Sequence, residues 1–171
     1  NFYSTVSLKY RNEFYNALIR EIKSRKDYLG TEEVSTIYFG GGTPSMISIK
    51  ELSNIIKALN NTYNVANDVE ITLEANPDDL TKEQINDIKN HTSVNRLSIG
   101  IQSFFDDDLV YLNRVHNSDE AQKSIEAALV AGFDNITIDL IYGIPTLTDK
   151  KWRENLVRFF DYGIPHLSSY S

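Results

Sequence analysis

Three consecutive glycines followed by threonine and proline are the residues whose types and spacing most clearly suggest chemistry. Gly40, Gly41 and Gly42 carry no side chain, so successive backbone N–H and C=O groups can approach a ligand closely. The alternative is a tight strand-to-helix turn that needs positive φ, but a run of three glycines before Thr43 and Pro44 favours a ligand loop. It is neither a P-loop nor a dinucleotide fingerprint, because no Lys-Ser or Lys-Thr follows and the G-x-G-x-x-G spacing is absent.

Two acidic residues stand within otherwise apolar segments farther along the chain. Glu74 ends one such segment, and its carboxylate can accept hydrogen bonds from a ribose diol or pair with an ammonium group. A structural ion pair with Arg96 is the alternative for Glu74. Asp139 lies between two aliphatic residues, and a carboxylate buried there needs a specific partner or must be protonated. The residues alone leave open whether these partners are ligand or protein.

The remaining polar candidates give weaker signals. Gln102 can bond a ligand or satisfy loop backbone, and Arg114 has the character of a surface cation. The histidines show no metal-ligand spacing such as H-x-x-x-H, which favours structural or solvated roles for all three. These histidines are His91, His116 and His166. The consecutive aspartates at 106–108 are typical of a helix start that the helix dipole favours.

Alternating strand and helix patterns must position these residues. Segments rich in β-branched residues predict strands over 34–39, 69–74, 96–101 and 135–141, and a fifth beginning at His166. Apolar residues at helical spacing predict helices over 7–26 and after Ser48, Thr81, Ser118 and Thr148. Capping boxes are expected for Ser48 with Glu51 and for Thr81 with Gln84. This alternation indicates an α/β fold with a parallel sheet.

The spacing of these units favours a partial, open (β/α) barrel. The units recur at roughly 30 residues, as in TIM-like barrels, whereas a closed eight-stranded barrel needs about 250 residues and the chain has 171. We interpret residues 1–171 as one partial barrel domain, with a doubly wound sheet as the alternative that the pattern leaves open. The C-terminal ends of barrel strands share one face. The polar residues expected together there are the glycine loop with Thr43, Glu74 with Asn76, Gln102 with Ser103, and Asp139.

Composition excludes several classes of function. The formal net charge is -7 without a basic run, so nucleic acid is not an expected partner. The chain contains no cysteine, which excludes disulfides, thiolate zinc sites and any iron–sulfur cluster that these residues would ligate. No apolar run approaches the about 20 residues of a membrane span. The start, Asn1-Phe2-Tyr3-Ser4, does not read as a signal peptide and predicts a chain cut from a longer one.

Four segments of the chain, in their order and spacing, resemble those of one known family. They are Tyr38-Phe39-Gly40-Gly41-Gly42-Thr43-Pro44-Ser45, Glu74-Ala75-Asn76-Pro77, Arg96-Leu97-Ser98-Ile99-Gly100-Ile101-Gln102-Ser103-Phe104 and Asp139-Leu140-Ile141-Tyr142-Gly143-Ile144-Pro145. They are similar to the oxygen-independent coproporphyrinogen III oxidase family of radical S-adenosylmethionine (SAM) enzymes, and the resemblance covers essentially the whole chain. It implies a barrel of the radical SAM type.

The same resemblance implies that parts of the family's barrel lie outside this chain. In the family a C-x-x-x-C-x-x-C motif after the first strand holds a [4Fe–4S] cluster, and Asn1-Phe2-Tyr3-Ser4 looks like the stretch that follows its last cysteine. The first strand, the three ligands and the C-terminal region would then be missing. This chain alone is expected to hold no cluster and to be inactive.

The resemblance also implies a set of cofactor-binding residues. Gly41, Gly42 and Thr43 would cradle the amino-acid end of SAM, and Phe2 would pack near the adenine. The positions that match the lining of the family's SAM site are Glu74, Gln102, Arg114 and Asp139. In the intact protein a reduced cluster would cleave SAM to methionine and a 5′-deoxyadenosyl radical. In the oxidase that radical abstracts hydrogen from propionate side chains, which lose carbon dioxide as vinyl groups form.

The family includes haem chaperones that share this core and are thought not to decarboxylate coproporphyrinogen. The Glu-Ala-Asn-Pro form at 74–77 and the Asn-Phe-Tyr-Ser start resemble these chaperone-like members. Either branch implies a tetrapyrrole partner, coproporphyrinogen III or haem, and a cytoplasmic location, and neither identifies the electron donor. Barrel strands without neighbours would leave edge N–H and C=O groups unpaired, so self-association through exposed edges is a further expectation.

Overall fold

Five parallel strands form one sheet in the computed structural model, which describes residues 10–171. They are β1 (Glu33–Phe39), β2 (Asn64–Ala75), β3 (Arg96–Gln102), β4 (Asn135–Ile141) and β5 (His166–Tyr170). Their order in the sheet follows their order in the chain, and all four pairings are parallel. The predicted parallel α/β fold is confirmed. The doubly wound alternative is wrong, because the strand order never reverses as that fold requires.

Helices connect the strands and cover one side of the sheet. They are α1 (Arg11–Ser24), α2 (Ile49–Thr62), α3 (Lys82–His91), α4 (Asp106–Tyr111), α5 (Ser118–Val130) and α6 (Asp149–Asp161). Short 3₁₀ turns at Pro44–Met46 and Pro77–Asp79 follow β1 and β2. The predicted helices are confirmed where the structure describes them, and the three aspartates do open a helix. The predicted start of the first helix at residue 7 lies outside the described residues.

Side-chain caps set the starts of the helices. Ser48 and Glu51 form the predicted capping box of α2. The second predicted box forms only by half: the Thr81 hydroxyl accepts from the Gln84 N–H at 3.2 Å, but the Gln84 side chain does not reach back to Thr81. Its amide donates instead to the carbonyl oxygen of Ser45 at 2.9 Å. A tertiary partner has replaced the local one, and the exchange ties α3 to the segment after β1.

The strands differ from the prediction mainly in β2. This strand begins at Asn64 rather than at residue 69, because Asn64 and Val65 pair with Glu33 and Val34 of β1. The register between β1 and β2 shifts between Val34 and Thr36. The longer strand is thus decided by its neighbour, which supplies hydrogen-bond partners that the local pattern does not reveal.

Alternate residues of the strands form an apolar layer against the helices. The strand side chains in this layer are Ile37, Ile71, Leu73, Leu97, Ile99, Ile101, Ile136, Ile138 and Leu140, all buried. They pack in one cluster with helix residues such as Leu52, Ile85 and Ile125. Burying one such side chain contributes about 1.5–3 kcal/mol, so this layer holds the helices on the sheet.

The sheet curls into a half-barrel. A flat sheet would hold β1 and β4 about 14 Å apart, three strand spacings, yet Thr43 after β1 and Asp139 of β4 line the same cavity. Among the described residues, β1 and β5 each have one strand neighbour. No helix among residues 10–171 is both long enough and apolar enough to cross a membrane.

Candidate functional site

A cavity of about 470 Å³ lies at the C-terminal ends of β1 to β4, on the concave side of the half-barrel. Its lining residues are Gly42, Thr43, Pro44, Glu74, Ala75, Asn76, Ser98, Gly100, Gln102, Arg114 and Asp139. Small-molecule sites span about 300–1,000 Å³ and combine an enclosed surface with a few convergent polar groups. The size and lining of this cavity therefore suit a small polar ligand.

The glycine loop forms one wall of the cavity. Gly41 and Gly42 have φ values of 77° and 70°, a left-handed conformation that residues with a side chain rarely adopt. Gly40 is needed for a different reason, because a Cβ there would lie 3.0 Å from Glu74 Oε1 and closer still to the Tyr38 ring. The turn explanation is confirmed, because the glycines permit the turn. They also keep its backbone open beside the cavity, and the ligand-loop explanation stays a prediction.

Glu74 connects the glycine loop to the floor of the site. Its Oε1 accepts a hydrogen bond from the Tyr38 hydroxyl at 2.7 Å, and its Oε2 accepts one from the Gly41 N–H at 3.0 Å. Burial, and then the Glu74 carboxylate, raise the pKa of the Tyr38 hydroxyl, so it stays a donor. The predicted ion pair of Glu74 with Arg96 is wrong: Arg96 Nη1 instead lies 3.4 Å from Glu70 Oε1, four residues earlier on β2.

Gly100 on β3 leaves space for three polar side chains, those of Gln102, Arg114 and Asn76. A Cβ at Gly100 would meet Gln102 Nε2 at 2.8 Å, Arg114 Nη2 at 3.4 Å and Asn76 Oδ1 at 3.6 Å. Arg114 Nη2 donates to Asn76 Oδ1 at 2.9 Å. The surface-cation interpretation of Arg114 is therefore wrong, since the guanidinium is half-buried and lines the cavity.

Gln102 reaches the cavity through a strained backbone. Its φ is 68°, in the left-handed region, and such a residue persists only when its surroundings hold it. The segment that follows is held by fully buried groups: the Ser103 hydroxyl donates to Asp108 Oδ2 at 2.8 Å, and the Phe104 N–H donates to Asn155 Oδ1 at 2.9 Å. These bonds fix the turn after β3 that aims Gln102.

Asp139 is the carboxylate of β4 in the cavity. Burial raises its pKa, and the nearby Glu74 carboxylate raises it further, whereas a hydrogen bond with the Ser168 side chain and the charge of Arg114 lower it. Ser168 and Arg114 are thus the protein groups that favour the ionised form of Asp139. A cationic ligand in the cavity would favour the ionised form of this carboxylate and so oppose the effect of burial.

The structure brings together nearly all of the residues expected at the cofactor site. Glu74, Gln102, Arg114 and Asp139 line one cavity with Gly42 and Thr43, and Gly41 adjoins it through its bond to Glu74. Phe2 lies outside the described residues. Asn76, expected close behind Glu74, also lines the cavity, whereas Ser103, expected beside Gln102, does not line it and is buried against Asp108. Ser98 and Gly100 line the cavity but were not expected there. The period-two alternation of β3 would have indicated them, because residues two apart face the same side of a strand.

No metal centre accompanies this cavity in the described chain. No group of three or more His, Cys, Asp or Glu side chains suited to a metal ion occurs among residues 10–171. His91 and His166 are exposed, and His116 is buried with its Nε2 against the carbonyl oxygen of Ile101. With no cysteine in the sequence, these residues do not fit an iron–sulfur cluster, and its ligands would have to come from outside them.

Comparison with curated proteins identifies relatives that match most of the length of this chain. The chain is 36% identical to the heme chaperone HemW of Bacillus subtilis over 94% of its own length and 42% of that protein. It is 31% identical to the heme chaperone HemW of Escherichia coli over 93% of its own length and 42% of the relative. The chain thus spans about two-fifths of the length of these relatives.

Solved structures show the same fold. The coproporphyrinogen III oxidase HemN of Escherichia coli, described as a radical SAM enzyme, superimposes with a TM-score of 0.84 at 27% identity, over 98% of this chain and 39% of that one. The Elp3 protein of the archaeon Methanocaldococcus infernus superimposes with a TM-score of 0.67 at 17% identity, which shows the fold alone.

A sequence model of the radical SAM superfamily matches residues 2–159. That span contains the glycine loop and every residue that lines the cavity. The half-barrel of parallel strands, its glycine loop and this match agree, and the chain belongs to the radical SAM superfamily.

Proposed function

We propose that the cavity beside the glycine loop binds SAM, and that this chain is the SAM-binding part of a radical SAM protein of haem metabolism. The observation that carries the proposal is the convergence in one cavity of a side-chain-free loop, two carboxylates and one guanidinium. The superfamily generally uses SAM with a [4Fe–4S] cluster, and the cluster ligands would lie outside these 171 residues.

The charges of the cavity support SAM as its ligand. Among the lining residues, Glu74 and Asp139 are acidic and Arg114 is basic, so the lining carries a net charge of -1 when all three are ionised. SAM bears a sulfonium, an ammonium and a carboxylate, which leave it singly positive. Opposite net charges of ligand and site favour binding, and Arg114 supplies the fork that matches a carboxylate.

Each part of the lining has a matching group on SAM. Gly41, Gly42 and Thr43 would hold the amino-acid end, where open backbone can approach the ligand closely. Arg114 would bind the carboxylate, and Glu74 and Asp139 would accept from the ammonium and the ribose hydroxyls. Gln102 would add an amide. Phe2 beside the adenine remains a prediction about a residue that the structure does not describe.

When bound, SAM supplies the carbon-centred radical by which the superfamily abstracts hydrogen. The residues of this chain contribute binding and orientation. Glu74 and Asp139 hold one side of the ligand and Arg114 the other, and the curled sheet excludes water from the contact between them. No residue of this cavity needs to transfer a proton in that step.

Two functions of the complete protein fit this core. The names of the relatives favour a haem chaperone, since proteins named HemW match at 31–36% identity. The structural likeness to coproporphyrinogen III oxidase at 27% identity supports oxidative decarboxylation as the other candidate. The proposal that the half-barrel binds SAM is the same for both functions.

The SAM site is tested by replacing Glu74 with glutamine in the gene product that contains this chain, reconstituted anaerobically with iron and sulfide. We expect the Kd for SAM, measured by calorimetry, to rise about tenfold to a hundredfold, as for the loss of a hydrogen bond to a charged group. Glu70→Gln is the matched control, because Glu70 is on the same strand but bonds Arg96 and Asn135 outside the cavity. Equal effects of the two changes, or none, would refute the site.

The two candidate functions separate in one reaction. The same preparation is mixed with SAM, dithionite and coproporphyrinogen III, and products are read by mass spectrometry, with haem binding followed by absorbance. Haem binding without loss of carbon dioxide is the outcome expected of a chaperone. Loss of two carboxyl groups together with 5′-deoxyadenosine would assign the oxidase instead.

A further inference from the structure

A buried histidine joins the two segments that flank Arg114. His116 follows α4, and its side chain is completely buried. Its Nε2 lies 3.1 Å from the carbonyl oxygen of Ile101. Because a carbonyl oxygen only accepts, Nε2 carries a proton and donates this bond. Nδ1 is buried without a hydrogen-bond partner, and Asp78 Oδ1 lies 3.6 Å away.

Both contacts of His116 lead back to the cavity. Ile101 directly precedes Gln102 at the end of β3. Asp78 belongs to the 3₁₀ turn that begins right after Asn76, and Asn76 is the residue that accepts the hydrogen bond from Arg114. The His116 ring therefore lies beside the end of β3 and the turn after β2. The Arg114 guanidinium is bonded to Asn76, at the start of that turn.

The backbone between Arg114 and the preceding helix is sharply turned. Asn113 has a φ of 53°, and the Arg114 N–H donates to the carbonyl oxygen of Leu109 at 2.9 Å. Val115, on the other side of Arg114, is 86% exposed. Of the three residues 114–116, His116 is the only one whose side chain is fully buried, so the loop is anchored at that position.

Resting on the proposed function, we propose that His116 is a positioning residue: its Nε2–H bond clamps the 113–117 loop to Ile101, with the ring buried beside Asp78 of the turn after β2, and so holds the Arg114 guanidinium where it meets the carboxylate of SAM. The ring need not touch the ligand. Arginine has several rotatable bonds, so without this anchor its guanidinium would sample positions outside the cavity and bind more weakly.

The protonation state of the ring suits this role. Burial lowers the pKa of His116, and the neighbouring Arg114 lowers it further. A neutral ring adds no second positive charge beside the guanidinium. Asp78 acts in the opposite direction and raises the pKa, without overcoming burial.

A double-mutant cycle tests whether His116 acts through Arg114. SAM affinity is measured by calorimetry on the reconstituted gene product carrying His116→Asn, Arg114→Gln or both. The shorter asparagine cannot donate from the position of Nε2, so we expect His116→Asn to weaken SAM binding roughly tenfold, within the range of coupled neighbours. The double variant is expected to bind no more weakly than Arg114→Gln alone. His116→Gln, whose amide can reach Ile101, is expected to restore most of the affinity.

The outcomes separate the two proposals. If the losses from His116→Asn and Arg114→Gln multiply, or if His116→Asn leaves the Kd unchanged, His116 does not position Arg114. If Arg114→Gln itself leaves the Kd unchanged, the proposed SAM site fails instead. Thermal unfolding of each variant distinguishes both results from a general loss of fold.

A second variant covers the case in which His116→Asn does not fold. Asp78 is 31% exposed, and Asp78→Asn replaces a carboxylate facing Nδ1 with an amide that can donate to it. We expect SAM affinity to hold or to increase, and any increase to vanish when Arg114→Gln is also present. A weaker affinity at an unchanged unfolding temperature would overturn the inference.

Discussion

Leu97 and Ile99 on one side of β3 are completely buried, whereas Ser98 and Gly100, which alternate with them, line the cavity on the other side. The same strand thus serves two purposes through alternate residues. On the convex side, large aliphatic groups fill the space against the helices. In a closed TIM barrel the inner positions are filled as well, largely by branched aliphatic side chains. Here the inner positions are small or polar, and the space that they leave is the binding cavity.

The two sides of the sheet therefore serve different purposes: the convex side stabilises the fold, and the concave side lines the cavity. Side chains of the convex side contribute through buried area and packing, which no ligand alters. On the concave side, polar groups are held in unfavourable settings: burial raises the pKa of Asp139, and the backbone of Gln102 is left-handed. Substitutions on the two sides should therefore have effects of different kinds.

The largest expected effect is a loss of folding stability from a substitution on the convex side. Ile99→Ala should lower the free energy of unfolding by about 3 kcal/mol, through lost burial and a residual cavity. Ser98→Ala, its neighbour on the concave side, should cost at most about 1 kcal/mol, the worth of one hydrogen bond. Urea denaturation of the two variants checks both values. Similar losses of stability would mean that the two faces are not energetically distinct.

Gly100→Ala should leave stability unchanged or raise it, and should weaken SAM binding. Gly100 does not have a positive φ, so alanine should leave stability unchanged or raise it by about 0.5 kcal/mol through reduced freedom of the unfolded chain. The new methyl group would displace the Gln102 amide, 2.8 Å away, and crowd Arg114. Overpacking of this kind should weaken SAM binding roughly tenfold. Calorimetry and urea denaturation on the same preparation measure the two effects, and a variant that lost both affinity and stability would contradict this assignment.

The smallest expected effect concerns Asp139 and pH. The pKa of the Asp139 carboxyl in the folded state is raised above 3.8, the ordinary value for an aspartate. The folded state therefore binds the carboxyl proton more tightly than the unfolded state does. The resulting stabilisation is complete below that value and is lost as pH rises through the folded-state pKa. Asp139→Asn should remove this dependence, so the stability difference between variant and wild type should shift in favour of the variant from pH 3.5 to 7. SAM affinity should fall in the same variant. A difference that does not change with pH would show that the Asp139 carboxyl is not perturbed by burial.

Local patterns were sufficient for most of the fold. Four of the five strands begin within about one residue of their predicted positions, since β-branched segments and helix caps act over a few residues. The exceptions depended on partners far along the chain. Asn64 and Val65 became strand because Glu33 and Val34 lie beside them, and Gln84 left its capping box for Ser45.

For the site, the residues alone left each carboxylate undecided and placed Arg114 on the surface. The resemblance to a family supplied the missing expectation, and the structure then brought Glu74, Gln102, Arg114 and Asp139 into one cavity. Binding of SAM there, the packing of Phe2 and association through the exposed edges of β1 and β5 remain predictions.

By itself the sequence determined the alternation of strands and helices, the glycine loop and the exclusion of a cluster ligated by this chain, because each depends on residue type or short-range spacing. Only the tertiary structure decided which polar groups meet. Curling of the sheet brings β1 and β4 to one cavity, and His116 joins residues 15 and 38 positions away in the chain. Such contacts depend on the relative placement of whole elements, which the packing of the apolar layer sets and no local pattern encodes.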